Sequence, residues 1–253
     1  MAELFGMPIF DKYDSEKRGD YHGWHHPTSA PLMSAVRPIG PIIPRAKWHE
    51  RIIAQQGNSL VDFVTQQNLF AMDQNGLNYC WAYGTTRAYE ISRLLTGCRH
   101  VPLAPESLAG PIVRWRNEGG YASEAFKGLE SKGVCEASFL DQPHSRNPEK
   151  WKTGWQENAL LHRSLNWYQI GSSFDEIISC LLCNLPVAAG LPWWGHLVCF
   201  LAPIILKDDS IGVIFQNSWG PWPSAEKPLG LGILTEIAAI PDGAATPLVS
   251  MFE

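Results

Sequence analysis

Asp73-Gln74-Asn75-Gly76-Leu77-Asn78-Tyr79-Cys80-Trp81-Ala82-Tyr83 is the stretch on which the fold turns. Asn75-Gly76 marks a turn. Beyond it Trp81, Gly84, Ala88, Ile91 and Leu95 recur at steps of 3, 4, 3 and 4, the stripe of a buried amphipathic helix, and Gly97 offers its C-terminal cap. Cys80 therefore stands at the start of a helix, where unpaired N–H groups and the helix dipole favour a thiolate. Taken alone, such a cysteine is an ordinary core residue. Two downstream segments change its weight. Gly195-His196-Leu197-Val198 opens an apolar strand, and Asn217-Ser218-Trp219-Gly220 closes the next one. A thiol nucleophile needs a base, a group that holds the base, and donors for an oxyanion; His196, Asn217 and Gln74 are of those types. Each has a plainer alternative: a hydrogen-bonded core residue for His196, a turn former for Asn217.

In chain order and local spacing these residues resemble the papain-like cysteine peptidases. Asp73 through Tyr83 resemble the glutamine-to-cysteine segment of that family without a change of spacing. Asn117-Glu118-Gly119-Gly120-Tyr121 resembles the glycine pair that lines the substrate groove, and Gly133-Val134-Cys135-Glu136 the approach to an aromatic turn, here replaced by Phe139-Leu140-Asp141. Pro186-Val187-Ala188-Ala189 resembles the strand before the histidine, and Gly230-Leu231-Gly232-Ile233-Leu234-Thr235-Glu236 the closing strand. The likeness runs from about Lys47 to Ile240. It implies an α+β fold with a helical lobe and a β-rich lobe flanking an active-site cleft. It also implies a cysteine peptidase chemistry with Cys80 as nucleophile, His196 as base and acid, Asn217 as the holder of the ring, and Gln74 as an oxyanion donor. Gly119 and Gly120 would pair with an extended peptide, and Trp219 would shield the His196–Asn217 bond. No cofactor and no metal are implied. Alternatives on the same scaffold are an amidase or transpeptidase, or a slow or silent subunit of a larger assembly such as a virion.

The chain departs from the family at several points. Leu77 stands where secreted members carry a structural cysteine, three residues ahead of the nucleophile. Asn78 and Tyr79 replace small residues, which predicts a narrower groove near the scissile bond. The interval from Pro186-Val187 to His196 is short, and Trp193-Trp194 fill part of it, either to contact substrate or to cap the core.

Bulk composition agrees with one compact enzyme. At 253 residues, 45% hydrophobic and 18% charged, the chain can bury a sizeable core. A net charge of −5 with no basic run leaves no electrostatic footprint for nucleic acid. No segment approaches the roughly 20 apolar residues that span a bilayer, and the first residues show no signal-peptide pattern. The expected partner is a peptide or protein substrate, with no nucleic acid and no membrane, and the expected compartment is the cytoplasm or a particle packaged from it. All six cysteines (Cys80, Cys98, Cys135, Cys180, Cys183 and Cys199) are expected as free thiols. Cys180 and Cys183 follow a capping box of Ser173 and Glu176 on an apolar helix and are expected in the core.

Domain organisation follows from a change of texture. Residues 1–46 form an extended arm; 22–44 carry five prolines and little periodicity. Residues 47–253 form the papain-like domain, with a helical lobe at about 59–150 and a β-rich lobe at about 160–253. The arm lacks a propeptide-like helix, so it offers a surface for an assembly partner. His22, His25 and His26 within it lack nearby carboxylates or cysteines and are not assigned to a metal. In the β-rich lobe, strands are expected at Pro186–Leu191, His196–Leu206 and Ile211–Gln216, with a bulge or edge at Pro203. Simple register about the Asp208-Asp209 turn would set Asn217 nearer Phe200 than His196.

Overall fold

The computed structural model describes residues 3–4, 6–11 and 41–248. Seven helices and eight strands occur among them: β1 (Glu3–Leu4), β2 (Met7–Phe10), α1 (Trp48–Ala54), α2 (Leu60–Gln66), α3 (Cys80–Leu95), α4 (Pro105–Val113), α5 (Ala122–Ser131), α6 (Trp155–Leu161), β3 (Asn166–Ile170), α7 (Phe174–Leu182), β4 (Val187–Leu191), β5 (His196–Ile205), β6 (Ile211–Gln216), β7 (Leu231–Thr235) and β8 (Gly243–Leu248). The strands form one sheet in the order β1-β2-β7-β6-β5-β4-β8-β3. The architecture is α+β, with α2, α3, α4 and α5 against one face of the sheet and α1 and α7 against the other.

Strands β4, β5 and β6 are buried at nearly every position. That is why they read as continuous apolar runs: both faces are covered. Side chains alternate between two cores. Leu197, Cys199 and Leu201 join α3, α4 and α5 on one face. Val198, Phe200 and Phe215 join α7 and α1 on the other. Helix α3 is buried from Cys80 to Arg93, a central helix rather than a surface one with a single wet face. Its close seat on β5 is set by Gly84, where a Cβ would lie 2.3 Å from Leu197 Cδ2. Ser59 and Asp62 form a capping box at the start of α2.

Register in the β5–β6 hairpin departs from a simple fold about the turn. Ala202 pairs with Ile214, but Phe200 pairs with Phe215, so Leu201 is the extra residue of a bulge. The bulge slides the end of β6 one residue toward His196. Pro203 lies just beyond, opposite Val213, where β5 has run past its last β4 partner at Phe200. The missing N–H therefore falls on a segment paired on one side only.

Two details differ from expectation. Met7–Phe10, counted with the arm, forms a strand parallel to β7, with Ile9 opposite Ile233. Phe10 is 1% exposed, because its ring inserts among Trp194, Phe215 and Trp222. Cys180 is buried but Cys183 is exposed, since α7 ends at Leu182 and the cap residue turns out of the core. The proline-rich stretch and its three histidines lie outside the described residues, apart from 41–44. Among the described residues no helix is long and apolar enough to cross a membrane.

Candidate active site

The start of α3 and the start of β5 meet. Gly84 rests on Leu197, so Cys80 lies one helical turn from that contact and His196 one strand residue from it. Strand β4 turns into β5 through Pro192–Gly195, with Leu191 paired to His196 and Gly195 at φ +65°. This tight hairpin accounts for the short interval before the histidine. Cys80, His196 and Gln74 are each fully buried, and Asn217 nearly so.

His196 Nε2 lies 2.8 Å from Asn217 Oδ1. The same oxygen accepts the Ser218 backbone N–H at 2.8 Å. Two N–H donors converging on one atom define it as the amide oxygen, so Nε2 carries the proton and Nδ1 is the basic nitrogen of the neutral ring. Trp219 lies over the imidazole with centroids 4.8 Å apart, and Trp194 meets it edge-on at 5.0 Å. Trp194 is 1% exposed and stacks on Trp193, whose indole N–H donates to Ala238 C=O at 2.8 Å. Trp194 belongs to the core behind the histidine, and Trp193 is half-buried against it.

Gln74 is tied to the same loop. Its backbone N–H donates to Ser218 C=O at 2.8 Å, and Ser218 Oγ donates to Gln74 Oε1 at 2.6 Å. Gln74 Nε2 donates to Leu77 C=O at 2.6 Å. Gly220 N–H donates to Met72 C=O, and Asp73 bridges Trp219. The loop before Cys80 and the loop after β6 are thus joined by backbone and side chain together. Ser218 carries no sequence signal beyond its place in the Asn217–Gly220 motif, and its link to Gln74 becomes visible only when the loops meet.

Other candidate residues lie near the start of α3. Gly120 is buried against the Trp81 indole, where a Cβ would lie 2.5 Å from a ring atom; Gly119 is half-buried. Asn78 is half-buried. Tyr79 does not narrow a groove: it is fully buried, and its hydroxyl donates to Arg116 C=O at 2.7 Å. Burial pushes its phenol up to about 12.

The fold matches solved structures of known proteins. Digestive procathepsin L 3 from the larval midgut of Tenebrio molitor is 15% identical with a TM-score of 0.60, over 71% of this chain and 66% of that one, just under two thirds of its length. Xylellain, a cysteine protease from Xylella fastidiosa, is 14% identical with a TM-score of 0.58, over 72% of this chain and 83% of that one. The bromelain protease of Ananas comosus is 15% identical with a TM-score of 0.59, over 72% of this chain and 94% of that one. No family model and no curated protein matches the sequence. At these identities the likeness establishes a papain-like α+β fold.

Proposed function

We propose that this chain is a cysteine peptidase that cleaves peptide bonds through a thiolate and an acyl-enzyme intermediate. The observation that carries the reading is the His196 Nε2 to Asn217 Oδ1 bond, roofed by Trp219 and joined through Ser218 to Gln74. Such a linked set supplies base, holder and oxyanion donor within one buried cluster.

In the proposed reaction Nδ1 of His196 takes the Cys80 thiol proton, and the thiolate attacks the carbonyl carbon of the scissile bond. Asn217 keeps the imidazolium oriented, and the indole of Trp219 keeps water from that bond. Gln74 has two amide hydrogens and gives one to Leu77 C=O; the second, with the Cys80 N–H, serves the oxyanion. Losing one such donor costs about 3 kcal/mol of transition-state stabilisation. The imidazolium then protonates the leaving amine, and water hydrolyses the thioester by the reverse proton path. Gly119 and Gly120 leave backbone room for an extended peptide.

One observation favours a second reading. Cys80 and His196 have no exposed surface, as suits a slow or silent member that acts as a subunit of an assembly. A peptidyl electrophile directed at thiols separates the two. Labelling of Cys80 in the native protein, abolished by His196→Ala, is the expected result. A native protein whose Cys80 never reacts, and which turns over no peptide, would overturn the peptidase reading.

A further inference from the structure

One exposed side chain outside the residues assigned so far joins the two walls of the proposed groove. Asn117 sits in the loop after α4, yet both ends of its amide are committed to the turn that precedes Cys80. Oδ1 accepts the Asn78 backbone N–H at 2.6 Å, and Nδ2 donates to Gly76 C=O at 3.1 Å. Those two backbone groups flank Leu77. The side-chain amide therefore does what a neighbouring strand would do, pairing one donor and one acceptor about a single residue. Asn78 returns a third bond, from Nδ2 to Asn117 C=O at 3.3 Å.

The backbone accounting of the turn shows why this matters. Leu77 N–H donates to Gln74 C=O at 2.8 Å, and Leu77 C=O accepts Gln74 Nε2 at 2.6 Å. Asn78 C=O accepts the Trp81 indole N–H at 3.2 Å. Among the groups that remain, Gly76 C=O and Asn78 N–H are the two that Asn117 takes. Leu77 thus fixes the Gln74 amide from inside the turn, while Asn117 fixes Leu77 from outside. Two residues past Asn78 lies the Cys80 N–H. On the other side, Asn117 leads directly into Glu118-Gly119-Gly120, and Gly120 is pressed on Trp81.

We infer that Asn117 is a positioning residue: it locks the 76–78 turn so that the Gln74 amide and the Cys80 N–H converge on one point, in register with the Gly119–Gly120 wall. The inference rests on the peptidase reading. Asn117 touches no reacting atom and acts only through the turn, so its loss displaces donors without removing any.

Two variants of the full chain test it. Asn117→Ala removes both side-chain bonds and is expected to speed hydrogen exchange at the Asn78 amide and to lower kcat about tenfold or more, with KM nearly unchanged. Asn117→Asp keeps the acceptor toward Asn78. When ionised it sets a carboxylate oxygen against Gly76 C=O, and when protonated it restores the donor. Its activity relative to wild type is therefore expected to recover as pH falls toward about 4, the range of an ordinary Asp, whereas Asn117→Ala shows no recovery. Wild-type kcat in Asn117→Ala, or a loss that Asn117→Asp does not regain at low pH, overturns the positioning role. If the wild type turns over no peptide, the peptidase reading falls and the catalytic purpose of the clamp with it. The exchange measurement then stands alone: faster exchange at Asn78 in Asn117→Ala keeps the clamp, and unchanged exchange removes that too.

Discussion

Cys80 shares the chain with five other free thiols, and the fold makes several of them poor competitors. Burial pushes Cys135 up to about 11 and Cys199 up to about 12, so neither is ionised near neutrality. Limited alkylation at about pH 5.5 should accordingly modify Cys80 first, because helix start and imidazole favour its thiolate where a free thiol is protonated. Peptide mapping by mass spectrometry checks this; preferential modification of Cys98 or the exposed Cys183, with Cys80 untouched, would remove Cys80 from the chemistry. Ser218 invites a second test. Its hydroxyl holds Gln74 Oε1 at 2.6 Å, and both groups are buried. Ser218→Ala leaves that oxygen short of a donor at a cost of about 1–3 kcal/mol. The expected kinetic result is a lower kcat with KM largely retained, since the substrate does not touch the hydroxyl. A variant with wild-type kcat would show that Gln74 is held well enough by its backbone.

Helix α3 is the element on which the site depends, and its support is partly polar. Tyr83 Oη donates to Glu106 Oε1 on α4 at 2.6 Å, and His144 Nδ1 lies 3.3 Å from that hydroxyl and 3.6 Å from the same carboxylate oxygen. Asp73, in the loop before α3, adds its negative field. Hydrogen bonding to Glu106 raises His144 above its ordinary value of 6.5, against an opposing effect of burial. A histidine whose folded pKa is raised contributes stability that is fully present below its unfolded value and is lost as pH rises through the folded value. Thermal stability should therefore decline as pH climbs above about 6.5, and His144→Gln should flatten that decline. Melting curves of the two proteins between pH 5 and 9 (on the order of one titration range either side) give the comparison, and identical slopes would show that His144 does not carry the dependence. The helix is equally sensitive at Gly84. Gly84→Ala drives a methyl into Leu197, which is fully buried, and overpacking of this kind costs about 1–3 kcal/mol. Activity should suffer beyond that loss, because the same contact seats the start of α3, which carries Cys80, on the start of β5, which carries His196.

At the scale of the whole molecule, the sheet is completed from the far end of the chain. β2 docks beside β7, and Phe10 stacks on Trp194 and Trp222 at 5.4 Å each. Trp194 in turn packs on His196, so the start of the chain buttresses the wall behind the proposed base. Phe10→Ala should destabilise the fold by about 3–5 kcal/mol, the cost of a large buried ring, measured by urea denaturation. A loss under about 1 kcal/mol, the size of a surface change, would mean that β2 is dispensable. Removing residues 1–44 to probe the proline-rich arm would also remove this strand. Deletions confined to residues 12–40 are the cleaner test of the assembly role proposed for it: unchanged turnover with weaker association supports that role, and a several-fold gain in turnover would assign inhibition instead.

The sequence by itself determined the parts whose signals are local. Helix α3 was readable from its 3.6-residue apolar stripe and Gly97, the strands β4, β5 and β6 from continuous apolar runs, and the candidate residues Cys80, His196, Asn217 and Gln74 from types and spacing that resemble one fold family. Tertiary structure decided whatever depends on two distant segments meeting. The bulge at Leu201 shifts register by one residue, a choice that packing against both cores makes and that no turn signal announces. β2 is too short and too plain to announce itself, and it gains its partner from β7, more than 200 residues away. Trp194 and Tyr79 are large amphipathic side chains that either a groove or a core would accept, and only the surrounding volume placed them inside. Ser218 and Asn117 are small polar residues whose role lies wholly in backbone groups brought to them by the fold. Apolar periodicity is written along one segment; a hydrogen bond between loops is written in neither loop alone.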